Sequence, residues 1–182
     1  YPAEWVRQQL AGRLPDLYTA GYEVQTTIRS NLQEAARAAL RKGLIEYDRR
    51  HGYRGAEVQL PAGDRDAWLK ALAGARPLVG FEPAIVTGLA EDHALALLND
   101  GREIRIDFES MRWARRYLAV DSRGPAPSRP ADVVAPGDLI RIWQEPESGA
   151  WNLGQVPEIQ GALVSIDPST GLPPGALTGF LP

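Results

Sequence analysis

Over residues 21–28 polar and apolar positions alternate, with Tyr22, Val24, Thr26 and Ile28 on one side, and this period of two predicts a half-buried strand. The period then changes. Ser30 can serve as an N-cap with Gln33 completing a capping box, and Leu32, Ala35, Ala36, Ala39 and Leu40 recur at helical spacing. The pattern continues through Leu44 and Tyr47 despite Gly43, so one long amphipathic helix is expected over 31–51, stopped where Gly52 can adopt a positive φ. A second helix is expected over 64–72, capped by Asp64, with Trp68, Leu69 and Leu72 on one face and Gly74 as its stop.

From Gly80 the pattern returns to strands, at 82–89, 93–98 and 102–108. Asn99, Asp100 and Gly101 tolerate the backbone of a tight hairpin between the last two. Met111, Ala114 and Leu118, with Trp113 and Tyr117, form a short helical stripe over 109–118. The proline-rich stretch 122–130 reads as a loop without ladder or helix. Two more strands follow at 138–144 and 150–156 around a turn at 145–149. Three strands, a short helix and two strands is the order of an OB-type Greek-key barrel. The expected fold class is α+β: a five-stranded OB-like β-barrel plus a smaller linker subdomain with a strand and a long amphipathic helix.

Composition narrows the function. At 182 residues and 44% hydrophobic, the chain can bury a core in one or two small domains. A net charge of −3 supplies no overall attraction to phosphate, so nucleic acid is not the expected partner. Nearly all positive charge is arginine, Lys42 and Lys70 being the only lysines, which fits a GC-rich genome. Without cysteine there is neither disulfide nor thiolate metal site. No apolar run is long enough for a membrane span, and the first residues do not read as a signal peptide, so the chain is expected to be soluble and to start mid-protein.

No residues are expected to be catalytic, and no metal or cofactor is expected. No serine has a lysine three residues on, and Ser30, Ser110 and Ser165 read as cap, helix start and strand. Glu91, Asp92 and His93 are adjacent on a turn and lack a second ligand group at zinc-like spacing. His51 reads as a helix C-terminal residue interacting with the dipole, and Glu145 and Glu147 as solvated turn carboxylates. Because OB barrels bind oligomers through the face of their second and third strands, Arg102, Arg105, Arg112, Arg115 and Arg116 form the candidate interaction surface. Trp113, Trp143 and Trp151 are assigned to the core.

Four segments carry a family resemblance. Gly21-Tyr22-Glu23-Val24-Gln25-Thr26-Thr27-Ile28 followed by Leu32-Gln33-Glu34-Ala35-Ala36 resembles the segment between the glycosyltransferase and transpeptidase domains of class A penicillin-binding proteins. Trp5-Val6-Arg7-Gln8-Gln9-Leu10 is similar to the stretch preceding it. The stretch from Tyr47 through Asp48, Arg49, Arg50, His51, Gly52, Tyr53 and Arg54 to Gly55 looks like the lead into an inserted OB-like domain in the Gram-negative 1a type. Gly161 through Val164, Asp167 and Gly171 looks like the first strand and turn of the transpeptidase domain. The resemblance divides the chain into a linker at 1–56, an OB-like insertion at 57–158, a first transpeptidase-side strand at 159–171, and residues 172–182 as a tail, a junction left by removing the transpeptidase, or a numbering that skips residues.

In the family that strand is followed by another strand and then by the Ser-x-x-Lys, Ser-x-Asn and Lys-Thr-Gly motifs, none of which occurs in this chain. The resemblance therefore implies a non-catalytic linker and docking region of a bifunctional peptidoglycan synthase at the periplasmic face of the bacterial inner membrane. Its implied partners are the neighbouring glycosyltransferase and transpeptidase domains and an outer-membrane lipoprotein activator. The rival is a free-standing OB module that binds single-stranded nucleic acid or glycan.

Overall fold

The computed structural model describes residues 2–14, 16, 19–22, 29–166, 168–169 and 175–179. Residues 23–28, most of the strand expected over 21–28, lie outside the described residues. Two helices open the chain, α1 (Pro2–Ala11) and the long α2 (Ser30–His51). Ser30 is not the cap of α2. It is the first helical residue, Arg29 occupies the cap position with no side-chain hydrogen bond, and the expected capping box is absent. The helix stops at Gly52, whose φ of 110° is closed to most side chains. Gly52 also lies so close to the chain at Arg115 that a Cβ would come within 2.7 Å of the Arg115 carbonyl oxygen.

After the two-residue strand β1 (Val58–Gln59), helix α3 (Arg65–Gly74) is capped as expected, the Asp64 carboxylate accepting the Ala67 N–H at 3.0 Å. The barrel strands are β2 (Glu82–Leu89), β3 (His93–Leu98), β4 (Glu103–Asp107), β7 (Asp138–Gln144) and β8 (Trp151–Gly154). Between β4 and β7 lie a 3-10 turn (Phe108–Met111), the small hairpin of β5 (Tyr117–Ala119) and β6 (Ser122–Arg123), and a second 3-10 turn (Pro130–Asp132).

The ring runs β2-β3-β4-β8-β7 and closes by the pairing of β7 with β2. Every junction is antiparallel except β4 with β8, which meet in parallel at Ile106 and Trp151. In chain order this is 1-2-3-5-4, the Greek-key closure of an OB barrel, so the five-stranded barrel expected from periodicity is present. Strand β1 extends the sheet along the first half of β7.

Alternation sorts the strand residues cleanly. Ala84, Val86, Ala94, Ala96, Leu98, Ile106, Ile140, Ile142 and Leu153 fill the interior, where three alanines leave room for the opposing branched side chains. Met111, fully buried, joins the same core with Ala114 and Val134. The opposite side chains Ile85, Leu97 and Leu139 form a second core beneath Trp68 and Leu72 of α3. The Trp68 indole N–H donates to the Pro61 carbonyl at 3.0 Å, satisfying its one polar atom.

Three expectations are corrected. The helix over 109–118 is a 3-10 turn followed by β5, because Tyr117 leaves the helical path to donate its N–H to the Tyr53 carbonyl at 2.8 Å. The stretch 122–130 is not structureless: Ser122–Arg123 pairs with β5, and the Asp132 carboxylate accepts both the N–H and the hydroxyl of Ser128 at 2.8 Å. Trp113 and Trp151 pack against the barrel core, but Trp143 does not; it follows the inward Ile142 and is half-buried.

The last two strands, β9 (Gly161–Ser165) and β10 (Gly175–Gly179), form an antiparallel hairpin beside α2. Gly161 sits so close to that helix that a Cβ would lie 3.1 Å from Leu44 and 3.2 Å from Leu40. Part of the stretch 172–182 is therefore a paired strand.

Truncating Ile106, fully buried in the barrel, to alanine should cost about 2–5 kcal/mol of stability, while Val79→Ala at an exposed position should stay within about 0.5 kcal/mol. Urea unfolding followed by tryptophan fluorescence measures both; equal losses would contradict a closed core around Ile106.

Candidate interaction site

The most constrained polar arrangement lies where α2 meets the barrel. Leu44 and Asp48 are one turn apart on the same helix face, and both are buried. A buried carboxylate requires partners, and Asp48 has them: Arg54 donates to its two oxygens at 2.9 and 3.0 Å, and the Gln155 amide donates at 2.6 Å. Gln155 also donates to the Gly52 carbonyl at 3.0 Å and accepts the Arg54 N–H at 2.7 Å. The Arg54 guanidinium reaches on to the Val156 carbonyl at 2.8 Å and Glu158 at 3.0 Å. Residues 48–54 are thereby tied to the segment that leaves β8.

Two further contacts complete the junction. Arg49 donates to the Leu153 carbonyl at 3.1 Å, and its guanidinium lies 4.8 Å from the centre of the Trp113 ring, which packs edge-on to Tyr53. Burial lowers the Arg49 pKa and pushes the Tyr53 phenol up. On the far side of the strap at 53–59, buried Arg141 on β7 donates to both oxygens of Glu57 at 2.8 and 2.9 Å and to the Arg76 carbonyl at 2.9 Å. The strap is thus held by an ion pair at each end.

The candidate arginines do not form one free basic patch. Arg102 pairs with Asp100 at 2.6 Å, Arg105 with Asp107 at 2.6 Å and Asp92 at 2.8 Å, and Arg112 with Glu109 at 2.7 Å. Arg115 donates to the Gly124 carbonyl at 2.7 Å. Arg116 is exposed, and among the described residues no acid is bonded to it. Exposed Arg123, absent from the expected surface, is placed with these last two by the β5–β6 pairing. The face of β3 and β4 is consequently a mosaic of self-neutralised pairs.

The histidines have ordinary surface partners. His51 lies 2.8 Å from the Tyr47 carbonyl in the last turn of α2, consistent with its expected place at the helix C-terminus. The His93 ring nitrogen lies 2.6 Å from Asp92. Hydrogen bonds from His93 and Arg105 hold the Asp92 carboxyl at a pKa of about 2 instead of 3.8. Among the described residues no three His, Cys, Asp or Glu side chains are grouped to hold a metal ion. No helix among them is long and apolar enough to cross a membrane. This geometry supports holding and positioning.

Sequence reading missed Asp48, Arg54 and Gln155. A signal existed for the first of these, since Asp48 shares the helix stripe of Leu44, where a charge is out of place unless paired. Gln155 carried none, because only the closure of the barrel brings it to α2.

Comparison with known proteins adds a second line of observation. Residues 53–159 match the model of the Penicillin-binding protein OB-like domain. Over 181 residues the chain is 46% identical to Penicillin-binding protein 1A of Pseudomonas aeruginosa, covering 99% of this chain and 22% of that protein. Penicillin-binding protein 1A of Escherichia coli is 39% identical over 189 residues, at 99% and 22% coverage. The crystal structure of Penicillin-Binding Protein 1A from Haemophilus influenzae superposes with a TM-score of 0.66 at 35% identity, covering 90% of this chain and 23% of that one. The chain therefore spans about a fifth of the length of the curated relatives it matches.

Asp48→Asn removes the charge that Arg54 and Gln155 converge on and should destabilise the fold by about 2–4 kcal/mol, less than for a fully dry pair because the Arg54 side chain is 21% exposed. Amide exchange in the last turn of α2 should accelerate with it; unchanged protection there would show that the network does not hold the helix. The Asp92 carboxyl has a depressed pKa, so its favourable pairing is complete above its ordinary 3.8 and is lost as pH falls through about 2. Carboxyl-carbon NMR should show that midpoint, with Arg105→Ala moving it upward; a midpoint near 3.8 in the unmodified chain would refute the pairing.

Proposed function

Because the chain belongs to the penicillin-binding protein OB-like domain family, we propose that it is the non-catalytic linker and regulatory docking region of a bifunctional peptidoglycan synthase, offering its barrel to a protein activator. The parent polymerises glycan and cross-links peptides at the periplasmic face of the bacterial inner membrane, and the activator is an outer-membrane lipoprotein. The observation that carries this reading is the junction of Asp48, Arg54 and Gln155, which ties the barrel to the linker helix. Helix α2 in turn packs on the β9–β10 hairpin, whose first strand lies in the segment that resembles the start of the transpeptidase side. A ligand on the barrel can then shift how the flanking domains are arranged, provided that it binds one arrangement more tightly than the other.

The rival, an OB module for single-stranded nucleic acid or glycan, uses the face of β3 and β4. Nucleic-acid recognition there depends on free positive charge and stacking platforms, and Arg102 and Arg105 on this face are already paired with Asp100, Asp92 and Asp107.

The purified chain, added in excess, should suppress stimulation of the full-length synthase by its lipoprotein activator, by occupying the activator. It should not form a covalent adduct with a fluorescent penicillin. Stimulation that persists unchanged at saturating chain would defeat the docking reading, and a penicillin adduct would defeat the non-catalytic one; salt-dependent binding to an oligonucleotide would favour the rival.

A further inference from the structure

We propose that the β5–β6 hairpin, with Leu118 exposed on β5, Val120 in its turn and exposed Arg116 and Arg123 at its base, is the docking element for a protein partner with an acidic surface around an apolar socket. The proposal rests on the docking reading above and assigns it a place. Leu118 is 58% exposed and Val120 65%. The two lie within three residues of one another on a projecting hairpin, whereas an isolated exposed aliphatic side chain would need no explanation.

Charge identifies the occupant. Between Arg112 and Arg129 the chain carries Arg112, Arg115, Arg116, Arg123 and Arg129 against Asp121 alone, in a protein whose net charge is −3. Arg112, Arg115 and Arg129 are engaged by Glu109, the Gly124 carbonyl and Asp132. Arg116 and Arg123 are both exposed, and no acid is bonded to either among the described residues. Two exposed guanidinium groups without an acid bonded to them, on the same hairpin as two exposed aliphatic side chains, complement an acidic surface around an apolar pocket. A lipid surface fits less well: the tip lacks the Trp or Tyr that settles at a headgroup interface, and two aliphatic side chains bury too little to anchor a negatively charged chain. A nucleic acid would need a stacking platform, and Leu118 and Val120 offer none.

The root of the hairpin supports a regulatory position. Tyr53, next to the residue that ends α2, donates its N–H to the Arg115 carbonyl at 2.7 Å and accepts the Tyr117 N–H at 2.8 Å. The Tyr53 ring packs on Trp113, which receives Arg49 of α2. The root of the hairpin thus touches the end of the linker helix through Tyr53, Gly52 and Trp113. On β4, Arg105 and Asp107 bond instead to each other and, through Asp92, to the neighbouring turn, while Glu103 accepts the Thr87 hydroxyl.

A photoreactive benzoylphenylalanine replacing Leu118 or Val120 in the full-length protein, irradiated in living cells, tests this, with the same probe at Arg105 on β4 and at Val79 as comparisons. The expected result is one protein adduct from 118 and 120, identified by mass spectrometry as having an acidic surface, and weakened about tenfold by Arg116→Glu with Arg123→Glu. Adducts from position 105 alone would move docking to the β4 face, overturning the hairpin assignment while leaving activator docking intact. No protein adduct at any barrel position would overturn both. An adduct with phospholipid only, an equal adduct from Val79, or a basic partner would each overturn the hairpin proposal. Circular dichroism of the charge-reversed chain, expected to match the parent chain, separates lost docking from lost folding.

Discussion

The buried carboxylate of Asp48 sets the relation between the two parts of this molecule. Once desolvated inside the helix–barrel junction it must be met by charge and hydrogen bonds, and only one placement of α2 puts Arg54 and Gln155 around it together. Buried ion pairs contribute little net stability compared with apolar packing, because desolvation offsets much of the Coulomb attraction. Their effect is specificity. Rotating the barrel against the helix would strand Asp48 and Arg54, so the angle between them has one good solution. Arg141 and Glu57 impose the same condition at the other end of the strap.

Beside these polar fixtures the barrel has two apolar cores of its own. Ile140, Ile142 and their neighbours fill the inner face of β2, β3 and β7, and on the outer face Trp68 and Leu72 cover Ile85, Leu97 and Leu139. Two cores on one sheet leave few strand positions facing water. Of the exposed positions of β4, Arg105 is paired with Asp107 and Asp92, and Glu103 adds a negative charge bonded to Thr87, so the strand carries no basic stripe of the kind on which oligonucleotide recognition depends. What stays open is the β5–β6 hairpin, an excursion between barrel strands that contributes little to the core beyond its root.

A scaffold of this kind acts by position. It orients what is attached at its two ends, and any influence of a bound partner has to travel through contacts with a single favourable geometry. The path from hairpin to Tyr53 to α2 and on to β9 and β10 consists of such contacts: backbone hydrogen bonds, a ring edge, and a glycine at which a methyl group would crowd Leu40 and Leu44.

The alternation of side chains determined the barrel strands by itself, because burial on one face imposes period two wherever the partner strand lies; β2, β3 and β7 could be read to within a residue, and α2 and α3 from the complementary 3.6 period. The cap of α2 was misread by one position, since Ser30 is itself the first helical residue. The stripe Met111, Ala114, Leu118 is a local pattern that a tertiary contact overrides, Tyr117 being drawn out of the helix by Tyr53 more than sixty residues earlier. The candidate arginines were legible as charges but not as free charges, since pairing with Asp92, Asp100, Asp107 and Glu109 depends on hairpin geometry. Asp48, Arg54 and Gln155 are set together only when β8 closes the ring, because a contact between residues more than a hundred positions apart is made by topology, and no local pattern encodes it.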